Sequence, residues 1–358
     1  MGKLHRMIEF YPFQHVRRPC QAAVIFILCL AGLTTTASAA ELQFREATLR
    51  DAATRLTKKI TARIDHLGKK AHPIAEDCDL HVPLRSNDFR IPMIGEVKNA
   101  CSIPEDATPT SLRDQIEEAI GDNDVPVVGV FRIWLEHPPK GKTIQREGGT
   151  LPAYNNSNPD HQVELHPLLS IGDLDFHDHI TDLKHKSARY TGYGTAELRT
   201  LLGKTINVRT LDRNGESYVA ISGAKMGYNH WLLRAIVRGE PRPLDDAIAV
   251  TIDITDRGRA VKEAGSLTAF AIKGTAAYDT VQGLKPDDRV VFQALGRLSI
   301  ATIMQAAAPG SGREVRLPIE FILLTIKSAG TAARKSETPS LLATATCLDE
   351  LICGAAAQ

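Results

Sequence analysis

Positions that alternate between apolar and polar side chains mark out most of the strands predicted in the first half of the chain. Alternation with a period of two is typical of a strand that buries one face. The strands predicted here are 60–64, 80–84, 91–97, 125–135 and 163–171. Between the third and the fourth, apolar residues recur every four positions, at Leu112, Ile116 and Ile120, which predicts a helix. Ser111 can cap that helix and Gly121 can end it.

The order of these elements is strand, strand, strand, helix, strand, strand, with a further short helix predicted over 48–56. This is the order of the OB-fold, a five-stranded barrel with a helix between its third and fourth strands, although other small α+β domains share it. The second half is a series of β segments separated by Gly and Asp turns, which indicates a sandwich or a second barrel. The predicted fold class is therefore mainly β (α+β), with an N-terminal OB-like barrel and a second β-rich domain.

The first forty residues have the pattern of an export signal. A basic start is followed by an apolar run over 22–33 and by small residues up to Ala40. The run is shorter than the roughly 20 residues of a membrane span, and no later segment is apolar enough to be one. We therefore expect an exported bacterial protein, periplasmic or secreted. The predicted organisation is a signal peptide (1–40), an OB-like domain (41–180), a linker (181–204), a β-rich second domain (205–328) and a flexible C-terminal tail (329–358).

Charge is distributed unevenly along the chain, although the formal net charge is only +1. Residues 71–180 contain 8 Lys and Arg against 19 Asp and Glu, whereas 181–245 contain 11 against 6. An acidic first half repels phosphate backbones, which bind through Lys and Arg, and can attract cations. Nucleic acid is therefore disfavoured as a partner of the first domain. A small molecule, a saccharide or an envelope protein is expected instead.

Four cysteines follow the predicted signal, and an even number in an exported protein indicates disulfides. The simplest of the three possible connectivities is local: Cys78 with Cys101, and Cys347 with Cys353.

A register for the hairpin of the second and third strands supports the first of these pairs. If the numbers of facing residues sum to about 179, Val82 faces Val97 and Cys78 faces Cys101. The apolar side chains then share one face, and polar side chains share the other.

That polar face and the outward positions of the fifth strand carry imidazoles and carboxylates. Asp79, His81, Glu96 and Lys98 lie opposite the apolar side chains of the hairpin, and Glu164 and His166 alternate with apolar neighbours. A closed barrel would bring them to one outer wall, where two imidazoles and several carboxylates can hold a divalent metal ion and position water. The predicted binding residues are Asp79, His81, Glu96, Glu164 and His166, with His81, Glu96, Glu164 and His166 as metal ligands. The alternative is a set of solvated surface residues.

Three further groups are weaker candidates, each with a structural alternative. In an extended chain, Asp173, Asp175, His177 and His179 would project from one side and could share a metal ion, or they form a polar linker. His137 beside Glu136 could act as a general base or lie on the surface. The segment 227–231 could stack a sugar or a base, or form a turn with Trp231 in the core. No nucleophile elbow, phosphate loop or zinc-protease helix is found in the sequence.

Four short motifs carry a family resemblance. They are Glu76–Val82, Ile94–Val97, Val128–Val130 and Val163–Leu168. Together they resemble a group of exported bacterial proteins of uncharacterised activity, which have an E-D-x-D-x-H element, a strand with an acid, and a terminal E-x-H-P motif. The resemblance covers 58–171, about a third of the chain, and implies an OB-like domain but no reaction.

The leading functional expectation is an exported OB-like ligand-binding protein with a divalent metal ion as cofactor. One alternative is a metal-dependent hydrolase, of phosphodiesters for example, that uses the same residues with an open coordination position. The second alternative is a structural or interaction module of the cell envelope.

Overall fold

The computed structural model describes residues 40–68, 71–72, 77–102, 111–141, 143–181, 192–223, 225–227, 229–307 and 312–328. The α-helices are α1 (Glu46–Ala52), α2 (Leu112–Ile120), α3 (Thr195–Leu202), α4 (Ala276–Gln282) and α5 (Ile300–Ala306). The strands are β1 (Glu41–Arg45), β2 (Thr57–Arg63), β3 (Leu80–Ser86), β4 (Met93–Val97), β5 (Val125–His137), β6 (Ile144–Arg146), β7 (His161–Ile171), β8 (Leu174–Asp175), β9 (Thr205–Arg213), β10 (Glu216–Gly223), β11 (His230–Val237), β12 (Arg242–Pro243), β13 (Ala247–Asp256), β14 (Arg259–Ala260), β15 (Ser266–Ile272), β16 (Arg289–Leu298), β17 (Arg313–Arg316) and β18 (Ile319–Ser328). The predicted signal peptide and C-terminal tail, with Cys347 and Cys353, lie outside the described residues, and the predicted domain boundaries stay predictions.

Five strands of the first half close into a barrel. The strand β2 pairs with β3 and β5, β3 pairs with β4, and β5 pairs with β7, all antiparallel. A parallel pair of β4 and β7 closes the ring, and α2 connects the third strand to the fourth. This closed order is that of the OB-fold. The predicted N-terminal barrel is confirmed.

Capping fixes α2 at both ends. The Ser111 side chain accepts a hydrogen bond from the backbone N–H of Asp114 at 3.2 Å, which satisfies one of the free amides of the first turn. Ile116 and Ile120 are buried on one face of the helix. Gly121 ends it with φ +47°, a conformation that favours glycine. The helix therefore lies where the spacing predicts it.

The register of the β3–β4 hairpin differs from the predicted one by two residues. Leu80 faces Val97, and Val82 faces Gly95. A shift of two leaves every side chain on its predicted face, because successive side chains point to opposite sides. The predicted pairing of Val82 with Val97 is wrong, whereas the assignment of faces holds.

The disulfide between Cys78 and Cys101 is confirmed, with their Cα atoms 5.1 Å apart. Both cysteines lie beyond the paired region of the hairpin. The chain turns after β4 at Asn99, which has φ +52°, and a short 3-10 turn follows over Ala100–Ser102. Because of this turn, Cys101 reaches Cys78 although the register of the strands is shifted by two residues from one that would place the cysteines opposite each other.

A second barrel with the same strand order follows in the second half. The strand β13 pairs with β11 and β15, and β16 pairs with β11 and β18, all antiparallel. A parallel pair of β15 and β18 closes this ring as well, and α4 connects its third strand to its fourth. Of the two interpretations left open by the sequence, the second domain is therefore a barrel, and it repeats the OB order of the first.

A third sheet joins segments from the whole described chain in the order β17-β9-β10-β1-β6. The strand β6 lies in the connection between the fourth and fifth strands of the first barrel. The strand β17 lies in the corresponding connection of the second barrel. The strand β1 and the hairpin of β9 and β10 complete the sheet, so each barrel contributes a strand to it.

The outer walls of the barrels contact each other. A separate apolar cluster contains Val130 and Leu169 of the first barrel together with Phe270 and Ile322 of the second. The strand β7 is consequently buried along almost its whole length. No helix in the described ranges is long and apolar enough to cross a membrane.

Candidate functional site

The polar side chains predicted for the outer wall of the first barrel do come together. They are buried rather than in solvent, with between 0% and 7% of each residue exposed. The expectation of a solvated exterior wall is therefore wrong, because His230 of the second barrel covers Asp79 and Lys98, and His72 packs on His81. We define the interbarrel cluster by its charged and imidazole side chains, which are Asp79, Glu96, Lys98, Arg132, His161, Glu164, His166 and His230.

His166 lies at the centre of this cluster, among three carboxylates. Its Nε2 atom is 3.2 Å from Asp79 Oδ2, and its Nδ1 atom is 3.2 Å from Glu96 Oε2 and 3.4 Å from Glu164 Oε2. Burial lowers the pKa of His166, but the negative charges of Glu96 and the other two carboxylates outweigh burial and raise that pKa to about 9. His166 can therefore carry a positive charge in a site closed to water.

Lys98 links the two barrels through Asp79 and His230. Its Nζ atom donates to both carboxylate oxygens of Asp79, at 2.8 and 3.0 Å, and lies 2.7 Å from Nε2 of His230 at the start of β11. Asp79, His166 and His230 are spaced closely enough to hold a metal ion. However, the ammonium group of Lys98 already contacts Asp79 and His230, and it supplies the positive charge that a metal ion would bring there.

Glu96, His161 and Glu164 form a second group with the spacing of metal ligands. Nδ1 of His161 lies 2.7 Å from the carbonyl oxygen of Pro159, and its Nε2 lies 3.6 Å from Glu164 Oε1. Among the described residues, the buried Nε2 of His161 has no hydrogen-bond partner, whereas Oε2 of Glu96 faces Nδ1 of His166 at 3.2 Å. The other oxygen of Glu164 accepts a hydrogen bond from Nη1 of Arg132.

Arg132 anchors this second group to the second barrel. Its Nε atom donates to the carbonyl oxygen of Gly296 in β16 at 2.6 Å, and its guanidinium lies over the ring of Trp134 at 4.8 Å. Arg132 is completely buried within a strand of apolar residues. A buried guanidinium needs a carboxylate partner, and Glu164 on the neighbouring strand provides it.

The charges of the cluster balance only if one further positive charge is present. Asp79, Glu96 and Glu164 are the carboxylates, whereas Lys98 and Arg132 are the permanent cations. Burial, helped by the nearby negative charges, raises the pKa of Glu96 to about 8. One proton shared by Glu96 and His166 neutralises the cluster. A bound metal ion could replace that proton.

A cavity of about 300 Å³ connects solvent to the edge of the cluster. It is lined by His66, His72 and His81 with Asn155–Ser157. Nε2 of His81 lies 3.7 Å from Glu96 Oε1, so His81 separates the cavity from the buried carboxylate. Burial, together with the neighbouring His72, lowers the pKa of His81 to about 3. His81 is therefore a neutral imidazole at physiological pH.

The secondary metal candidates are arranged differently from the prediction. Asp175 ends β8, and His177–His179 form a 3-10 turn instead of an extended segment. Nδ1 of His177 lies 2.6 Å from Asp175 Oδ1, whereas Asp173 lies in the preceding turn. The groups of three or more ligand atoms found in the described ranges are those of the interbarrel cluster. A metal site at 173–179 stays a prediction.

The remaining candidates lie near the cluster or within the core. His137 is close to His161, with 5.1 Å between ring centres, and burial lowers the pKa of His137 to about 4. Trp231 is completely buried, as its structural interpretation requires. Tyr228 and Glu76 lie outside the described residues.

The site predicted from the sequence lacks three members of the cluster, which are Arg132, His161 and His230. Arg132 is the one that a sequence signal could have found, because a charge inside the apolar run 125–135 requires a buried partner. His161 is two positions from the inward-facing Val163. Strict alternation therefore predicts that His161 points into the barrel, on the opposite side of the strand from Glu164. His230 comes from the other barrel, and no local pattern connects it with Asp79.

Comparison with known proteins adds little. No protein-family model and no curated protein match the chain. Among solved structures, the wild-type single-stranded DNA binding protein from Thermus aquaticus aligns at 6% identity and a TM-score of 0.21, over 79% of this chain and 97% of that chain. A deletion mutant of the same protein aligns at 8% identity and a TM-score of 0.21, over 79% and 98%. At this TM-score the similarity carries no argument, and the OB assignment depends on the strand order and closure described above.

Proposed function

We propose that this chain is an exported OB-like binding protein that holds a divalent metal ion in the interbarrel cluster through Glu96, His161 and Glu164. The observation that carries the proposal is the state of His161. Its Nδ1 lies 2.7 Å from a backbone carbonyl, which keeps a proton on Nδ1 and leaves Nε2 beside two carboxylates. Among the described residues this buried Nε2 has no hydrogen-bond partner, although the negative charge of Glu164 raises the pKa of His161 against the effect of burial. A metal ion would take the place of a proton on Nε2 and offset the charge of the carboxylates.

The distances support a metal ion better than a hydrogen bond. His161 Nε2 and Glu164 Oε1 are 3.6 Å apart, too far for a hydrogen bond. Two ligand atoms that each lie about 2.1 Å from a tetrahedral zinc ion are roughly 3.4 Å apart. The carbonyl of Pro159 and the guanidinium of Arg132 hold the outer sides of His161 and Glu164. Such outer contacts are typical of metal ligands.

Burial favours metal binding over hydrolysis. The three proposed ligands are at most 3% exposed. Structural metal sites are closed in this way, whereas catalytic sites keep a coordination position open for water. Hydrolysis therefore requires an opening of the barrel interface, and binding does not. We propose the cavity beside His81 as the site of a small polar ligand or a saccharide, and as the route by which the metal ion enters.

Metal binding is tested on the full chain after treatment with a chelator. We expect titration calorimetry with Zn²⁺ to give one site per chain, and His161→Gln to weaken its affinity at least tenfold. Glu118→Gln is the control, because Glu118 is an exposed carboxylate of α2 that belongs to neither candidate metal group. Its affinity should equal that of the wild type.

The proposal fails if the folded wild type binds no divalent ion, or if His161→Gln binds as tightly as Glu118→Gln. If His161→Gln does not fold, X-ray absorption of the zinc-loaded wild type decides, because one imidazole and carboxylate oxygens must appear as ligands. Turnover of phosphodiesters by the zinc-loaded protein would favour the hydrolase. A folded protein that binds no metal would favour the envelope module.

The proposed export has one structural support. A disulfide joins Cys78 and Cys101, and disulfides persist in oxidising compartments. The relationship to exported bacterial proteins with E-D-x-D-x-H and E-x-H-P elements remains a proposal from the motifs alone. Recovery of the mature protein from the periplasm or the medium, with its start near Glu41, tests the export.

A further inference from the structure

A second cavity, of about 420 Å³, lies away from the interbarrel cluster and is lined by three arginines. Arg90 precedes β4, Arg146 ends β6 and Arg213 ends β9. These residues are far apart in sequence. The last two belong to the same sheet, with β1 and β10 between their strands, and all three line the cavity. Among the described residues, no carboxylate side chain lines this cavity.

Two other arginines near this cavity's sheet, on β1 and β9, form ion pairs. Arg45 pairs with Glu147 and Glu216, and Arg209 pairs with Glu41. Within the part of the chain that the structure describes, Arg90, Arg146 and Arg213 form no such ion pair. Nε of Arg213 is also buried without a hydrogen-bond partner. A buried guanidinium N–H without an acceptor is costly, and an anionic ligand would supply the acceptor.

We propose that this cavity binds the phosphate group of a small organic phosphate. Three guanidinium groups in one cavity repel each other, and an oxyanion removes that repulsion. Guanidinium groups match the planar pairs of oxygens that phosphate and carboxylate offer. Three positive charges with no carboxylate among the lining residues suit a phosphate dianion better than the single charge of a carboxylate.

The rest of the cavity indicates that the ligand carries an organic part. Ile144 is 51% exposed, and it lines the cavity together with Pro92 and Leu151. These apolar side chains offer a surface to a ring or a short chain. Thr143 and Thr150 line the cavity as well and add hydroxyl groups. The ligand class is therefore a phosphate monoester with a small apolar or sugar group, and its binding is independent of the proposed metal ion.

The test uses titration calorimetry on the full chain, with and without chelator, and with phenyl phosphate, inorganic phosphate and benzoate as probes. We expect one site for phenyl phosphate, at least tenfold weaker binding of inorganic phosphate, and no measurable binding of benzoate. Arg146→Gln and Arg90→Gln change exposed residues and should each weaken phenyl phosphate binding at least tenfold. Arg234→Gln, at an exposed arginine of β11 outside the cavity, should leave it within twofold.

Several outcomes would overturn the proposal. Phenyl phosphate that does not bind the folded wild type would refute the site. An equal effect of Arg234→Gln would show general charge attraction only. Benzoate that binds as tightly as phenyl phosphate would refute a phosphate site. If phenyl phosphate no longer binds after treatment with chelator, its binding site is the proposed metal ion and not this cavity. Loss of metal binding alone does not affect this proposal.

Discussion

Glu96 and His166 share one titratable proton in a site that is closed to water. Burial raises the pKa of Glu96 to about 8, and the surrounding carboxylates raise the pKa of His166 to about 9 against the effect of burial. In an unfolded chain the same groups titrate near 4.5 and 6.5. Above pH 6.5 the folded protein therefore holds a proton that the unfolded chain has lost. The proton therefore stabilises the folded state fully below pH 6.5, and this stabilisation is lost as the pH rises towards 9.

We expect the free energy of unfolding of the metal-free protein to fall by about 2 kcal/mol between pH 7 and pH 9.5. Urea denaturation followed by tryptophan fluorescence, with chelator present, measures it. Glu96→Gln removes the carboxylate charge beside His166 and should flatten this alkaline decline. A wild type whose stability is constant over this range, or a decline of the same size in Glu96→Gln, would contradict the shared proton.

Arg132 and Glu164 provide a second test at this scale. Arg132→Met leaves the buried charge of Glu164 without its partner and should destabilise the protein by about 3–5 kcal/mol in urea denaturation. In the double variant Arg132→Met and Glu164→Gln, the remaining carboxamide is neutral and part of the loss should be recovered. If the loss of unfolding free energy in the double variant equals the sum of the losses in the two single variants, the two side chains act independently.

The sequence predicts the residues of the site that follow strand alternation and misses the others. His81, Glu96, Glu164 and His166 were predicted because alternate side chains of β3, β4 and β7 point away from the barrel core. His161 lies at the start of β7, where the pairing with β5 is irregular and parity is a poor guide. His230 required the packing of two barrels, which no local pattern contains. Burial of the site was missed for the same reason.

The disulfide acts on one element, the β3–β4 hairpin. Cys78 and Cys101 are 23 positions apart, and Asp79 and Lys98 lie between them. The cross-link limits the freedom of this loop in the unfolded chain. We expect Cys78→Ala with Cys101→Ala to lower the free energy of unfolding by about 3 kcal/mol in urea denaturation. Wild type treated with a reductant should show the same loss. If neither treatment changes the midpoint, the bond does not stabilise the fold.

The strands of both barrels were predictable, but the closure of the second barrel was not. Each strand of the first barrel covers one of the five predicted segments, and the second barrel lies within the predicted series of β segments. The first barrel was recognisable because α2 has a cap, a spaced apolar face and a stop. The corresponding α4 has seven residues, of which Ala277 and Val281 are buried, and so short a helix has too few turns for a clear period. Without it, sandwich and barrel could not be distinguished.

The whole molecule depends on the contact between the barrels, and Gly296 is a tight point in it. A Cβ atom at this position would lie 2.9 Å from the Trp134 ring and 3.0 Å from Nε1 of Trp231. These are the two tryptophans of the chain, and both are fully buried. Their fluorescence therefore reports directly on this part of the interface.

We expect Gly296→Ala to lower the free energy of unfolding by about 1–3 kcal/mol, because the rings and the Arg132 contact must move. The tryptophan emission should shift to the red as water reaches the rings. Gly239→Ala is the matched control, since no atom of the described part of the chain lies within 4 Å of a Cβ atom there. An unchanged emission and unfolding midpoint in Gly296→Ala would show that the interface is loose at this point.

The sheet that takes one strand from each barrel has a consequence for how this chain can be divided. A fragment that ends at Thr181 keeps β1 and β6 but loses β10, the neighbour of β1 on its other side. The complementary fragment keeps β9, β10 and β17 with one bare edge where β1 had been. Neither half can be transplanted into another protein without an unsatisfied row of backbone amides and carbonyls. The smallest part of this chain that can be moved to another protein is therefore the two barrels together.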